Sequence, residues 1–182
     1  MLIINPAELP DAPIRLVAYT EAWPELFAAE AQQLQAALQP WLCAGIEHIG
    51  STAVPGLSAK PVIDIMAPVR DLSSSQSAIA VAQHLGYCYF PYKPSQMVWF
   101  CKPSPATRTH HLHLVPWQSP LWHERLAFRD ALRRDPALAQ QYQTLKMQLA
   151  ARYPTDREAY TEAKTPFIAA VLKTWRNSLP AG

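Results

Sequence analysis

A single carboxylate interrupts an apolar run at position 64. Asp64 lies in Val-Ile-Asp-Ile-Met (62–66), where folding requires no polar group. An unpaired charge in such a strand is costly to bury, so we expect Asp64 to meet a metal ion, a cation or an open cleft. Gly50 and Ser51 end the preceding predicted strand, where a glycine lets the backbone approach a phosphate closely. Phosphoryl and nucleotidyl transfer need phosphate binding and metal-binding carboxylates side by side.

The face of the strand that carries Asp64 has no second acid. Alternate side chains of a strand share a face, so Asp64 points in the same direction as Val62 and Met66. A two-metal site would place another carboxylate at one of those two positions. Its absence argues against ordinary two-metal nucleotidyl transfer.

Three histidines lie in another predicted strand, His-His-Leu-His (110–113). His111 and His113 share one face of it. If this strand neighbours that of Asp64, two imidazoles and one carboxylate converge. Such a donor set suits Zn²⁺ or Mn²⁺ better than Mg²⁺, which prefers oxygen ligands. The alternative is that these histidines only hydrogen-bond to loops.

Basic side chains supply candidates for binding an anionic ligand. Lys60 precedes Asp64 by four residues and would lie at the mouth of the same cleft. Predicted helices after residue 119 carry further cations, and an arginine fork matches phosphate geometry. The alternative for each residue is a solvated helix face with ion pairs to acidic neighbours. The candidates are Lys60, Arg129, Lys146 and Lys164.

Arg129 belongs to a stripe of three arginines, Arg125, Arg129 and Arg133, at spacings of four. We prefer Arg129 within this stripe because it lies beside Phe128, a residue typical of a core. Lys164 is preferred for the same reason, since Phe167 follows it closely. Trp99 could stack on a nucleobase, although a place in the core explains it more simply.

Composition limits the class of protein. The chain has 182 residues, of which 49% are hydrophobic and 16% charged, which predicts one globular domain over 1–182 and excludes disorder. The net charge of +2 does not by itself indicate nucleic acid, and no apolar run reaches membrane-spanning length. Three cysteines without metal-like spacing, Cys43, Cys88 and Cys101, predict a reducing cytoplasm.

The pattern of apolar residues and turn signals predicts an α/β (α+β) fold, a mixed β-sheet flanked by helices. An extended arm over about 1–18 precedes a helix over 21–38. A helix capped by the serines at 73–75 is expected to end near residue 85. Strands are predicted at 44–50, 62–69, 87–90, 97–102 and 108–115.

The C-terminal third is predicted to be helical. Ser119-Pro120 begins a helix to about residue 134, and Asp135-Pro136 begins a second to residue 152. Thr155 or Asp156 caps one last helix that reaches about residue 175. Residues 177–182 are predicted to be a frayed tail.

The segment Glu-His-Ile-Gly-Ser-Thr-Ala-Val-Pro-Gly-Leu (47–57), followed by Lys-Pro-Val-Ile-Asp-Ile (60–65), resembles the core motif of the GrpB family, also called UPF0157. The resemblance extends from residue 23 to residue 168. It implies a nucleotidyltransferase-like fold in which the glycine-serine turn contacts nucleotide phosphates and strand acids hold a divalent metal. One branch of that superfamily, the alarmone synthetases, manages with a single acid in this strand.

Carried over by position, Gly50 and Ser51 correspond to the phosphate turn, with His48 and Thr52 flanking it, and Asp64 corresponds to one of the paired acids. The third acid position falls near His111 or His113. The resemblance implies binding of a nucleotide or phosphorylated ligand with Mg²⁺ or Mn²⁺. Asp64 and Lys60 are the catalytic candidates for transfer of a nucleotidyl or pyrophosphoryl group.

The alternative is a non-catalytic binding or folding module that has lost its second metal carboxylate. Domains resembling this one occur fused to dephospho-CoA kinase, which favours an accessory role and a protein partner. A third hypothesis is a metal-dependent hydrolase built on Asp64, His111 and His113.

Overall fold

A computed structural model describes residues 13–178. The helices are α1 (Ala22–Leu38), α2 (Ala78–His84), α3 (Pro120–Arg134), α4 (Pro136–Arg152), α5 (Arg157–Glu162) and α6 (Thr165–Ser178). The strands are β1 (Glu47–Ile49), β2 (Ile63–Val69), β3 (Cys88–Phe90), β4 (Val98–Pro103) and β5 (Arg108–Pro116), and a 3₁₀ turn covers Ser51–Ala53. The predicted mixed sheet with flanking helices is confirmed.

The five strands form one sheet in the order β1-β2-β5-β4-β3. Strands β2 and β5 are parallel, and the other neighbouring pairs are antiparallel. A parallel pair cannot be joined by a tight turn, so the chain between β2 and β5 makes a long excursion through α2, β3 and β4. This excursion places His111 directly beside Asp64, although 47 residues separate them.

The two faces of the sheet have different compositions. One face is mainly apolar and packs against α1 and α2, although His48 also lies on it; its apolar residues include Ile63, Ile65, Ala67, Leu112 and Leu114. The other face carries Asp64 and His113 between apolar residues, and Trp122 of α3 packs against it. Helix α4 packs beyond the edge of β1, where Tyr142 contacts the cluster containing Val54 and Leu57.

Local capping sets the starts of the C-terminal helices. The side chain of Ser119 accepts from Trp122 N, and that of Asp135 accepts from Ala137 N and Leu138 N. Proline fills the first position of both helices, where no amide donor is needed. The predicted bounds of these two helices are confirmed.

The prediction of one last helix is wrong. Asp156 does cap α5, but the helix ends at Glu162, and α6 begins at Thr165. Pro166 explains the break, because its nitrogen has no hydrogen to donate to the preceding turn and its ring clashes there. The break leaves Lys164 in the turn between the two helices.

Other predicted bounds also shift. The serines at 73–75 hydrogen-bond to Asp71 instead of capping a helix, and α2 begins later, at Ala78. The first strand is shorter than predicted, spanning only Glu47–Ile49. Of the predicted arm, 1–12 lie outside the described residues, and Val17 forms a β-bridge with Ala59.

The predicted tail begins too early, since α6 continues through Ser178; residues 179–182 lie outside the described part of the chain. Within 13–178, no helix combines the length and the apolar character needed to cross a bilayer.

Candidate functional site

The glycine-serine turn lies directly against the Asp64 carboxylate. Ile49 pairs with Asp64 across β1 and β2, so Gly50 begins the turn at this point. Gly50 has φ +72° and ψ −172°, a conformation that side-chain-bearing residues essentially never adopt. A Cβ at this position would overlap Oδ2 of Asp64. Glycine is therefore required both by the backbone angle and by the approach of the carboxylate.

Two imidazoles complete a cluster around Asp64. Nδ1 of His111 lies 2.9 Å from Oδ1 of Asp64, and Nε2 of His113 lies 3.6 Å from the same oxygen. One potential ligand atom from each of the three residues lies within 4.8 Å of the others. The Nε2 atoms of both histidines are buried and have no hydrogen-bond partner among the described residues. The structure thus brings together the three residues that the sequence suggested as metal ligands.

The protonation states of this cluster suit a cation. Burial alone would raise the pKa of Asp64, but the hydrogen bond with His111 and the close approach of His113 outweigh it and hold the pKa well below its usual value. Burial and the positive charge of Arg125 lower the pKa of His113 to about 4. At neutral pH, Asp64 is ionised and His113 is neutral with a lone pair available. The Asp64 side chain remains 27% exposed, so the cluster opens to solvent.

Three lysines converge on the other side of the turn, and we call Lys60, Lys146 and Lys164 the lysine cluster. Nζ of Lys146 donates to Oγ of Ser51 at 3.1 Å and also to the carbonyl of Ser58. Nζ of Lys164 and Nζ of Lys60 lie 4.4 Å and 5.1 Å from the centroid of the Tyr160 ring. Lys146 thus brings positive charge directly to Ser51, and Lys60 and Lys164 lie close enough to Lys146 to repel it.

Burial makes the charges of Lys146 and Lys164 unfavourable in the absence of an anion. Lys146 is only 2% exposed, and burial, with repulsion from Lys164 and Lys60, lowers its pKa to about 7. Burial and Lys60 lower the pKa of Lys164 to about 8, although Asp64 opposes the shift. An anion bound beside Ser51 would offset this repulsion.

Two of the predicted phosphate-binding residues belong to a buried network instead of the cluster. His48 pairs with Ile65, so it points to the apolar face of the sheet, where it stacks on Phe27 at 4.6 Å. Its Nε2 lies 3.0 Å from Oγ1 of Thr52, which donates to the carbonyl of Val62. Burial lowers the pKa of His48 to about 4, so it is neutral and holds the turn in place.

Arg129 donates hydrogen bonds to three protein groups. Nη1 donates to Glu47 at 2.6 Å and to the carbonyl of His48 at 2.9 Å, while Nε donates to Asp130 at 2.7 Å. These partners raise its pKa despite the opposing effect of burial. The structure therefore places Arg129 as a clamp between α3 and β1.

Arg125, rather than Arg129, lies near the Asp64 cluster. Its guanidinium contacts Met97, whose sulfur is 3.4 Å from Nδ1 of His113. Sequence reasoning missed this residue because spacing along a helix treats Arg125 and Arg129 alike. The distinction arises from Glu47, which lies 82 residues before Arg129 in the sequence. Glu47 accepts a hydrogen bond from Arg129 and not from Arg125.

Two surface grooves lie away from this chemistry. One of about 430 Å³ and one of about 320 Å³ share Pro55 and Arg133 in their linings. Neither groove includes Asp64, His111, His113 or the lysine cluster in its lining, although His48 lines the smaller one. We therefore assign them no part in the chemistry at Asp64.

Comparison with known proteins identifies the family. A family model described as GrpB protein matches residues 13–174. The chain is 44% identical over 167 residues to a UPF0157 protein of Pseudomonas aeruginosa, covering 89% of this chain and 67% of that protein. This chain belongs to the GrpB family, as its motif suggested.

Structural comparison agrees. A crystal structure of conserved protein GrpB from Enterococcus faecalis matches with a TM-score of 0.76 and 35% sequence identity, covering 88% of this chain and 99% of that one. A more distant relative, a dephospho-CoA kinase of Mycolicibacterium paratuberculosis, is 26% identical over 205 residues, covering 94% of this chain and 48% of that protein.

Proposed function

We propose that this protein binds a nucleotide or another phosphorylated ligand between the glycine-serine turn and the lysine cluster. The observation that carries this proposal is the buried amine of Lys146, held against Ser51 Oγ within a group of three lysines. Burying a cation among cations is unfavourable unless an anion joins them. Phosphate is the anion that best suits a glycine turn with a lysine against it.

The position of Asp64 adds the second half of a nucleotidyltransferase-like site. The backbone at Gly50 passes so close to Asp64 that an added Cβ would overlap the carboxylate, so a phosphate on the turn would lie beside that carboxylate. Transfer of a nucleotidyl or pyrophosphoryl group to a small acceptor fits this arrangement, with Lys60 and Lys164 stabilising phosphate charge.

The cluster of Asp64, His111 and His113 fits a divalent cation. Its buried Nε2 atoms have no hydrogen-bond partner in the described chain, and its carboxylate is ionised. One oxygen and two nitrogen donors suit Mn²⁺ or Zn²⁺ better than Mg²⁺. A bound cation would polarise a phosphoryl oxygen. If the purified protein holds Zn²⁺ tightly, the hydrolase hypothesis is favoured over transfer.

The remaining residues suggested for phosphate binding have supporting roles in this proposal. His48 and Thr52 hold the turn from the apolar face, and Arg129 ties β1 to α3. They shape the ligand site through the backbone of residues 48–52 without contacting the ligand.

Calorimetric titration tests the proposal. ATP, GTP, CTP and UTP are each added in the presence of Mg²⁺ or Mn²⁺, and at least one is expected to bind. Lys164→Gln should weaken binding about tenfold, as expected for one lost charge-assisted contact. Asp64→Ala should remove the dependence on metal. Lys173→Gln, which alters an exposed lysine of α6, is the matched control and should bind like the unaltered protein.

Two results would contradict the proposal. One is that no nucleotide binds with either metal. The other is that Lys164→Gln and Asp64→Ala bind as tightly as Lys173→Gln, which would show that the ligand lies elsewhere.

A non-catalytic binding module is the second candidate. The sequence of β2 favours it, because Met66 occupies the position on the Asp64 face where a second metal-binding carboxylate would be expected. No second carboxylate joins the described cluster. The matching dephospho-CoA kinase, of which this chain covers 48%, supports an accessory domain. Product analysis after incubation with a bound nucleotide separates the two candidates, because a binding module returns the nucleotide unchanged.

A further inference from the structure

The side chain of Arg125 has too few partners for its burial. Its Nε is buried without a hydrogen-bond partner. Its one hydrogen bond within residues 13–178 runs from Nη2 to the sulfur of Met97 at 3.9 Å, and a thioether is a weak acceptor. A guanidinium has five N–H donors in a rigid fork, so most of its donors remain available.

The Arg125 guanidinium lies near the Asp64 cluster and is connected to it through Met97. Met97 links Arg125 to His113, and Nε2 of His113 is 3.6 Å from Asp64. These contacts lie on the β5 and β4 side of Asp64. The lysine cluster lies on the opposite side, next to the turn that follows β1. Asp64 therefore has cationic groups on both sides.

The other two arginines of the stripe on α3 have stronger hydrogen-bond partners than Arg125. Arg129 donates to Glu47, Asp130 and a main-chain carbonyl. Arg133 donates to the carbonyl of Ala53, and its Nη1 lies 3.8 Å from Asp130. Of the three, Arg125 alone has neither a carboxylate nor a carbonyl as a hydrogen-bond partner in the described chain, and it feels the charges of Asp64 and Glu124 only at longer range.

We infer that Arg125 binds a second anionic group of the same ligand, on the far side of Asp64 from the lysine cluster. This inference rests on the proposed function, and it narrows the ligand to a molecule with at least two phosphate groups. One phosphate contacts Ser51 and the lysines, and another accepts from the Arg125 fork. A ligand with a single phosphate occupies only the lysine side.

A comparison of the affinities for two inorganic phosphates tests this inference without knowledge of the natural ligand. Binding of tripolyphosphate and of orthophosphate is measured calorimetrically, with and without Mn²⁺. The unaltered protein should bind tripolyphosphate more tightly. Arg125→Gln should weaken tripolyphosphate binding by about tenfold to a hundredfold, the usual loss for hydrogen bonds to a charged group. Its affinity for orthophosphate should not change.

Arg125→Lys keeps the charge and most of the volume, so it guards against a folding defect in the glutamine variant. It should lose an intermediate share of the tripolyphosphate affinity, because an ammonium cannot make the paired contacts of a fork. Arg134→Gln changes an exposed arginine of the same helix and should bind both phosphates normally.

The outcomes separate this inference from the proposed function. If orthophosphate and tripolyphosphate both bind and Arg125→Gln leaves both affinities unchanged, the inference is overturned while the proposed function stands. An equal loss for the two phosphates also overturns it. If neither phosphate binds the unaltered protein, the inference is overturned, and the nucleotide titrations described above decide the proposed function separately.

Discussion

Arg129 and Lys146 both reach from the C-terminal helices to the segment that holds the glycine-serine turn, yet their surroundings differ. Arg129 meets two carboxylates and one main-chain carbonyl. Lys146 meets a hydroxyl and a carbonyl, and its charged neighbours are two further lysines. The electrostatic effects on the two pKa values are opposite, since partners raise that of Arg129 and burial lowers that of Lys146.

The difference separates a structural cation from a ligand-binding one. A cation whose carboxylate partners are supplied by the fold contributes to stability and has little left to offer a ligand. A buried cation surrounded by like charge costs stability and is relieved when an anion binds. The comparison predicts that substitutions at Arg129 act mainly on folding and substitutions in the lysine cluster mainly on ligand affinity.

The largest effect is expected from Arg129→Met. The change removes three charge-assisted hydrogen bonds, and we expect a loss of about 3 kcal/mol in the free energy of unfolding, below the sum for three such bonds because Glu47 and Asp130 are partly exposed. Urea denaturation measures it, with Arg134→Met as the exposed control. An Arg129→Met protein of unaltered stability that fails to bind phosphate would reverse the roles assigned to Arg129 and the lysines.

A smaller loss of stability is expected from Gly50→Ala. The positive φ and extended ψ of Gly50 cost an alanine about 2 kcal/mol, and overlap with Asp64 adds to this. Gly56→Ala is the matched control, because Gly56 also has positive φ but open space around it, so only about 1 kcal/mol is expected. Thermal denaturation compares the two. Equal losses would mean that contact with Asp64 adds nothing.

The excess cost at Gly50 can be assigned to Asp64 directly. In the Gly50→Ala/Asp64→Ala double variant, the overlap with the carboxylate disappears, so the two changes should be less than additive. Strict additivity would argue against the contact between the turn and the carboxylate.

The smallest effect concerns pH. The pKa of Lys146 is about 7 in the folded protein and 10.5 in the unfolded chain, so between these values the unfolded chain binds more protons. Stability from this residue therefore rises with pH from about 7 to 10.5 and is lowest below pH 7. Between pH 7 and 9, Lys146→Met should reduce this rise by about 1 kcal/mol after allowance for residual solvent.

Lys173→Met is the control for the pH experiment, since that lysine is exposed on α6. Denaturation curves at several pH values give the slope for each variant. If Lys146→Met and Lys173→Met show the same slope, the ammonium of Lys146 is not destabilised by its surroundings, and the comparison with Arg129 loses its basis.

Features set by neighbouring residues could be predicted from the sequence. The starts of α3 and α4 follow from Ser119-Pro120 and Asp135-Pro136, because a cap and a proline act within one turn. Strand alternation correctly placed His111 and His113 on one face. The break before α6 was missed, although Pro166 carried the signal for it.

Features set by distant residues could not be predicted in the same way. The contact between Asp64 and His111 depends on a parallel pairing across 47 residues, so it could be stated only as a condition. Likewise, Lys146 meets Ser51 across 95 residues of sequence. To predict which arginine of α3 lies near Asp64, one must know where Glu47 lies in space, and residue spacing along a helix does not give that position.

The parallel pairing of β2 with β5 also has a consequence during biosynthesis. Until residues 108–116 leave the ribosome, β2 exposes an unpaired edge, and its sequence is apolar on both faces apart from Asp64. In a nascent chain that stalls before residue 108, the unpaired apolar edge of β2 could pair with strands of other chains. Truncations that end in the excursion between β2 and β5 should therefore aggregate, whereas those that end beyond β5 have that edge covered.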